Sequence, residues 1–282
     1  FGAAIVLAAN CGGALTVIGD PTGLFLWNMG HVTPTAYSSA MALPCLTAWL
    51  LPTWWIGRSL PETTETEWVT MPYRGDDTRL NIRQRLLMLF VGIGGLWFIP
   101  TFHRITKLSP FLGAFCVLAV LWVVNEIFNR RLIDTDEMMQ RRVPRVLQYG
   151  VIQMMLYIMG IMLAVGVVQE TGAVGWLVAQ LDNYVGATWV AGTLAAALST
   201  VLDSFTSALT IFTIGKSNGL NSDYWSMIAY STAVGGNILC VGSLSGVAFL
   251  KTENARVGWY ISNVGWKAFV GAALGLAVMI VM

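Results

Sequence analysis

Two carboxylates, Asp20 and Asp203, each interrupt a run of apolar and small residues. Oxygen-bearing side chains gather near them: Asn10 and Thr22 around the first, Ser204 and Thr206 beside the second. A third polar group, Asn237, Ser243 and Ser245, lies in a later Gly-rich stretch. A carboxylate at the centre of a membrane helix costs about 2.5–3.5 kcal/mol on insertion scales, so a chain that keeps two is predicted to use them. Carboxylates mixed with neutral oxygens suit hard cations, and a carboxylate released from a cation accepts a proton. Other chemistry is poorly supported. His31 and His103 stand far apart at helix ends and form no metal cluster or imidazole relay. Cys11, Cys45, Cys116 and Cys240 show no CxxC or Cys/His spacing and read as buried free thiols.

The elements that must position these groups are membrane helices. Hydrophobic residues make up 56% of the 282 and charged residues 11%, against about 25% charged in soluble domains. Apolar runs at residues 35–57, 110–128, 146–168 and 259–282 are long enough to cross roughly 30 Å of hydrocarbon. Many of the twelve Trp lie near the ends of such runs, where indole rings prefer the headgroup layer. The net charge of +1 and the lack of a basic tract give no reason to expect nucleic acid as a partner. The chain opens apolar, without an initiator Met, a basic leader or a cleavage site. The expectation is a fragment that starts inside a helix.

Two Arg-rich stretches, 58–85 and 130–145, are separated by crossings at about 86–102 and 110–128 and so share one side. The positive-inside rule predicts that side to be cytoplasmic. On that frame a broken segment, 1–28, runs outward and 35–57 returns inward. Then 146–168 runs outward, followed by a short interfacial helix at 169–184. Residues 187–215 comprise two apolar arms, each too short to cross, around the polar centre Asp203, Ser204, Thr206 and Ser207. This reads as a re-entrant hairpin, its tip buried in protein. A broken helix at 224–250 crosses inward and 259–282 outward. The domain expectation is the end of a first repeat at 1–57, a cytoplasmic loop at 58–85 and a second repeat at 86–282.

The repeat rests on a self-match at an offset of 223 positions. Gly12, Gly13, Gly19 and Gly23 fall on Gly235, Gly236, Gly242 and Gly246, Asp20 falls on Ser243, and Thr22 falls on Ser245. Helix packing through small residues also enriches glycine, but it does not place oxygens at equal offsets. The topology gives the two copies opposite orientations, as in carriers built from inverted repeats with Gly-interrupted helices. The eight glycines are expected to let the helices unwind, freeing backbone groups for a midplane site. The fold class expected is all-α: a polytopic membrane protein with inverted repeats, broken helices and a re-entrant helical hairpin.

These same residues carry a family resemblance. Asn10-Cys11-Gly12-Gly13 through Ile18-Gly19-Asp20-Pro21-Thr22 resembles the Asn-x-Gly-Gly…Ile-Gly-Asp-x-Thr signature of NhaD-type sodium/proton antiporters, members of the ion-transporter superfamily with arsenite permeases and citrate and dicarboxylate carriers. Gly235-Gly236-Asn237 to Gly246 is similar to that superfamily's second broken helix, and Ser199-Thr200-Val201-Leu202-Asp203 resembles its second hairpin tip. The tip departs from the usual Asp-Asn-x-Pro, reading Asp203-Ser204-Phe205-Thr206. Gly23 replaces a second Thr, and Asn237 follows Gly235-Gly236 where the family has Ser. The resemblance spans essentially the whole chain and implies the C-terminal two-thirds of a carrier whose first hairpin lies upstream.

The resemblance implies secondary active sodium/proton antiport by alternating access, with transported Na+ and H+, no bound cofactor, and sodium at Asp20 and Asp203. Asn10, Thr22, Ser204, Thr206, Asn237, Ser243 and Ser245 would complete the ion-binding set. The alternative within transport is a sodium-coupled citrate, dicarboxylate or other anion carrier, using N–H groups at half-helix N-termini. An intramembrane hydrolase is disfavoured, because neither a paired-acid protease motif nor a Ser/His pair is present. Expected partners are the lipid bilayer and small ions, with a homodimer as an option. The expected location is the bacterial inner membrane.

Overall fold

The computed structural model describes residues 1–60, 82–129, 151–172, 188–214 and 219–282. Among them every regular element is a helix. In chain order these are α1 (Gly2–Ala14), α2 (Pro21–Asn28), α3 (Pro34–Arg58), α4 (Ile82–Thr106), α5 (Pro110–Asn129), α6 (Ile152–Glu170), α7 (Thr188–Val201), α8 (Ser204–Ile214), α9 (Asp223–Leu239) and α10 (Leu244–Thr252). A short α11 (Val257–Tyr260) passes through a π turn, Ile261–Gly265, into α12 (Trp266–Val281). Among the described residues five stretches are long and apolar enough to cross a membrane: Pro34–Arg58, Ile82–Thr106, Pro110–Phe128, Asp223–Thr252 and Val257–Val281. The chain is an all-α, polytopic membrane protein. The predicted second Arg-rich loop, most of the first and most of the interfacial helix at 169–184 lie outside the described residues.

The chain divides into two compact units, Phe1–Leu60 with Ile161–Met282, and Pro61–Gly160. In the second, α4 and α5 form a helical hairpin. A side chain at Gly95 would strike Val117, and one at Gly113 would meet Phe102, so glycine brings the two helices close. Lys107 adopts a positive φ of 58° between them, and His103 Nδ1 lies 2.6 Å from the Leu108 carbonyl. The crossing predicted at 86–102 is longer at both ends. Pro100 lies inside the helix rather than ending it, and Arg83 and Arg85, predicted in a loop, belong to the opening turn.

The larger unit holds all the candidate residues. Its outer support is the pair α3 and α12. On α3, Tyr37, Met41, Cys45, Ala48, Pro52 and Ile56 are buried at helical spacing, while Leu43, Leu50 and Trp54 are at least half exposed, as a lipid-facing side requires. Gly271 packs on Ala48 and Pro52, and Gly275 lies 2.7 Å (as a built Cβ) from the Pro44 carbonyl, a small-xxx-small contact between membrane helices.

Inside this support two broken helices run antiparallel along their length. Gly2 lies against Phe249 and Glu253. Midway, Asn10 reaches both Asn237 and Ser245. At the far end the His31 carbonyl accepts from Asn221 N at 2.8 Å, and the His31 ring stacks on Trp225, centroids 4.4 Å apart. In the stretch expected to form the hairpin, α7 and α8 fold back so that Ala195, Ala208 and Ile211 share one cluster with Ile228 of α9. Its arms flank α9, with Ala196 beside Gly235 and Phe212 beside Trp225, and Leu202 at the turn reaches Gly242 in the second break.

The two breaks close in the same way. A Cβ added at Gly13 would stand 3.0 Å from the Gly19 carbonyl, and one at Gly236 would stand 2.8 Å from that of Gly242. A Cβ at Gly23 would meet Val17, and one at Gly246 would meet Cys240, again at matching positions. Gly12, Gly13, Gly235 and Gly236 remain helical, Gly23 and Gly246 open the next helix, and only Gly19 and Gly242 lie in the unwound residues. The glycines therefore serve close approach of the chain to itself more than unwinding. Gly246→Ala should destabilise the protein by about 1–3 kcal/mol through overpacking. Gly12→Ala, with nothing within 4 Å of the added methyl, should cost nothing. Thermal unfolding of the two purified variants in detergent checks the contrast.

Candidate functional site

Three half-helices begin at the centre of the larger unit, and each is capped by a residue singled out in the sequence. Asp20 precedes α2 in extended geometry (φ −131°, ψ 141°), with Pro21 in the first turn, and its Oδ2 accepts from Thr22 N at 2.9 Å. Ser243 precedes α10 in nearly the same geometry (φ −140°, ψ 144°), and its Oγ accepts from Gly246 N at 3.1 Å. Asp203 precedes α8, with Oδ2 accepting from Phe205 N at 3.2 Å and its carbonyl accepting from Ser207 N. These are N-caps, each satisfying an amide that would otherwise stand unpaired in an apolar interior.

Capping alone does not account for the charge. The matched positions 20 and 243 do the same job, one with a carboxylate and one with a hydroxyl. The helix dipole returns roughly 0.3–1 kcal/mol to an anion, and a charged rather than neutral hydrogen bond adds about 1 kcal/mol. Together these fall short of the roughly 2.5–3.5 kcal/mol that a carboxylate costs at depth. A serine would cap α2 without that cost, so the carboxylate of Asp20 is surplus to structure. Asp203 caps the hairpin's second helix, α8, which packs its Phe205 and Phe212 against Phe25 of the helix that Asp20 caps. Each carboxylate keeps lone pairs beyond its cap bond.

Other groups complete the site. Thr22 is 1% exposed, and its Oγ1 has no hydrogen-bond partner. It lines a narrow cleft with Phe25 of α2, Phe205, Ala208 and Phe212 of α8, and Trp225 and Ile228 of α9. Ser204 and Thr206 lie in the first turn of α8, both half-buried. Thr206 offers its carbonyl to Thr210 Oγ1 at 2.8 Å. Around the second break the side chains pair with one another. Asn10 Nδ2 donates to Asn237 Oδ1 at 2.8 Å, and Ser245 Oγ donates to Asn10 Oδ1 at 2.6 Å. Ser243 and Ser245 hydroxyls lie 3.3 Å apart, and Asn237 Nδ2 reaches Cys11 Sγ at 3.6 Å. Among the described residues no group of three or more His, Cys, Asp or Glu could hold a metal.

Three residues here were not foreseen from the sequence. Fully buried Tyr260 donates its hydroxyl to the Asn237 carbonyl at 3.0 Å, satisfying one of the unpaired carbonyls at the end of α9. Fully buried Ser199 donates to the Thr232 carbonyl, fixing the hairpin to α9. The hydroxyl of Tyr37 lies 3.2 Å from a Cβ built on Gly23, in the first turn after Asp20. A lone tyrosine in an apolar helix is the only trace the first and last leave in sequence.

The described residues thus hold two broken helices, with capping carboxylates, beside a pair of short packed helices in an all-α membrane chain. The chain matches the family described as CitMHS, citrate transporter, over residues 1–235. It belongs to that family. It is similar to sodium/proton antiporter 1 of Arabidopsis thaliana, 28% identical over 98% of this chain and 47% of the relative. It is also similar to sodium/proton antiporter 2 of the same plant, 26% identical over 98% and 65%, and to the Na(+)/H(+) antiporter NhaD of Vibrio cholerae, 25% identical over 99% and 60%. The chain thus spans about half to two-thirds of the length of these relatives. No solved structure matches it.

Tyr260→Phe should leave the Asn237 carbonyl unpaired and destabilise the protein by about 1–3 kcal/mol without unfolding it. Thr252→Ala, which removes an exposed bond to the Ala248 carbonyl, should cost less than about 0.5 kcal/mol. Denaturant or thermal melts of both variants test the difference.

Proposed function

We propose that the chain forms the ion-handling part of a secondary active sodium/proton antiporter. Asp20 and Asp203 hold sodium or protons in turn, and access to them alternates between the two sides of the membrane. The observation that carries this reading is the surplus charge at Asp20, where the matched position of the second break does with serine. The names of the relatives in plants and bacteria support it. So do the antiparallel course of the two broken helices and their matching internal contacts, which we read as an inverted repeat. The carrier would work in an energised membrane such as the bacterial inner membrane, and a homodimer is compatible with it.

The exchange follows from charge. A neutral carboxyl cannot balance a sodium ion, so each bound proton excludes the cation and each sodium excludes the proton. Raising the pH removes protons and must raise the apparent sodium affinity until the pair is fully ionised, after which affinity levels off. In the complete parent protein in proteoliposomes, Asp20→Ser and Asp203→Ser should keep the caps and the fold but abolish sodium-dependent proton movement. Sodium-driven proton flux in either well-folded variant would remove that residue from the mechanism.

A second reading, sodium-coupled citrate uptake, is favoured by the family description and by three half-helix N-termini meeting at one place. Two carboxylates stand against it, since they repel an anion unless a cation is already bound. Uptake of labelled citrate that requires sodium, in liposomes that show no sodium-dependent proton flux, would decide for this reading.

A further inference from the structure

The two breaks match in backbone but not in the side chains around them. In the second break Ser245 donates to Asn10, and Asn10 donates to Asn237, so one carboxamide from the first broken helix spans the second break from both sides. Subtracting or adding the 223-position offset gives the corresponding set at the first break: Thr22 for Ser245, Ala233 for Asn10 and Ala14 for Asn237. Both carboxamides are replaced by methyl groups. The hydroxyl survives without them, which is why Thr22 Oγ1 is buried and unpartnered while the Ser245 hydroxyl is satisfied.

We propose that the two breaks have unequal duties, and that Asn10, with Asn237 and Ser245, is a clasp that holds the breaks in register rather than a set of ion ligands. The proposal rests on the ion-exchange reading for its transport consequences but on hydrogen bonds alone for the clasp itself. The clasp groups bond one another. Asn10 Oδ1 accepts from Ser245 and its Nδ2 donates to Asn237 Oδ1, and Asn237 Nδ2 is turned to Cys11 Sγ. A cation ligated there would meet oxygens already held by neutral partners at 2.6 and 2.8 Å, whereas one at the first break meets a Thr22 hydroxyl that no carboxamide holds, beside the Asp20 carboxylate. A cation held by the Asp20 carboxylate can take a lone pair of that hydroxyl as a further hard ligand. Asn10 is thereby a positioning residue. It ties the first broken helix across the second break and fixes where Asp20 stands relative to the hairpin tip.

The test uses the complete parent protein, measured for melting temperature in detergent and for sodium-dependent proton flux in liposomes. Asn10→Ala and Ser245→Ala should each lower the melting temperature. The double variant should be no less stable than Asn10→Ala alone, because the serine hydroxyl has already lost its acceptor. Both single variants should lower the maximal rate severalfold while the half-saturating sodium concentration stays within about twofold. Thr22→Val should do the reverse, raising half-saturating sodium about tenfold with no loss of melting temperature, and Thr22→Ser should restore it. Additive losses of melting temperature in the Asn10 and Ser245 variants would overturn the clasp. So would a tenfold rise in half-saturating sodium for either variant at unchanged stability. A parent protein that moves no sodium would overturn the ion-exchange reading alone, because the melting-temperature cycle still decides the clasp.

Discussion

Interrupting a helix inside hydrocarbon leaves amides and carbonyls that water cannot reach, and each must find a partner within the protein. Most of the larger unit's particular features answer this demand. Asp20, Asp203 and Ser243 supply caps to the helices that restart, and Tyr260 supplies a hydroxyl to the Asn237 carbonyl where α9 stops. Cys240 closes α9 in the left-handed region, φ 63°, which turns the chain sharply enough to bring Gly236 and Gly246 against the break. The glycines, the caps and the tyrosine are parts of one solution. Changing any of them returns the problem of an unsatisfied or overcrowded backbone.

That solution explains the packing around it. A broken helix has no continuous ladder to stiffen it, so its halves are held from outside. The hairpin arms lie along α9, tied by the Ser199 bond to Thr232 and by the ring cluster of Phe25, Phe205, Phe212 and Trp225. Behind them α12 meets α3 through Gly271 and Gly275, and Tyr230 crosses from α9 to donate to the Ala272 carbonyl at 3.0 Å. The polar centre therefore sits among elements fixed on several sides.

Much of this was legible in the sequence because hydrophobicity and glycine are local signals. The membrane class, the pair of short apolar helices around Asp203 and the two interrupted helices all follow from composition along short windows. The start of α4 was misplaced because a run containing Arg83, Arg85, three glycines and Pro100 looks like a loop and a short crossing, yet remains helical. The role of the glycines was misjudged for a related reason. Unwinding and close approach demand the same missing Cβ, and only coordinates separate Gly19, which is unwound, from Gly13, which is helical and touches it. Pairings such as Asn10 with Ser245, separated by 235 positions, leave no local trace at all. The polar residues named from the sequence lie around the breaks and the turn between α7 and α8, but which of them bond one another is a property of the fold.

The divergence of positions 20 and 243 can be followed to its electrostatic reason. Both residues need an acceptor for a helix amide, and aspartate and serine serve equally. Gly242 abuts Leu202, so residue 243 stands close to the hairpin tip that carries Asp203. Two unit charges about 8 Å apart at an effective dielectric of 20 repel by about 2 kcal/mol. A third carboxylate at 243 would add that repulsion to the roughly 2.5–3.5 kcal/mol of placing any charge at membrane depth, and no single monovalent cation could offset three negative charges. Serine at 243 keeps the cap and avoids the repulsion. The pairing of Ser245 with Asn10 then fills with neutral hydrogen bonds the space that, at the first break, is left as Thr22 beside a charge.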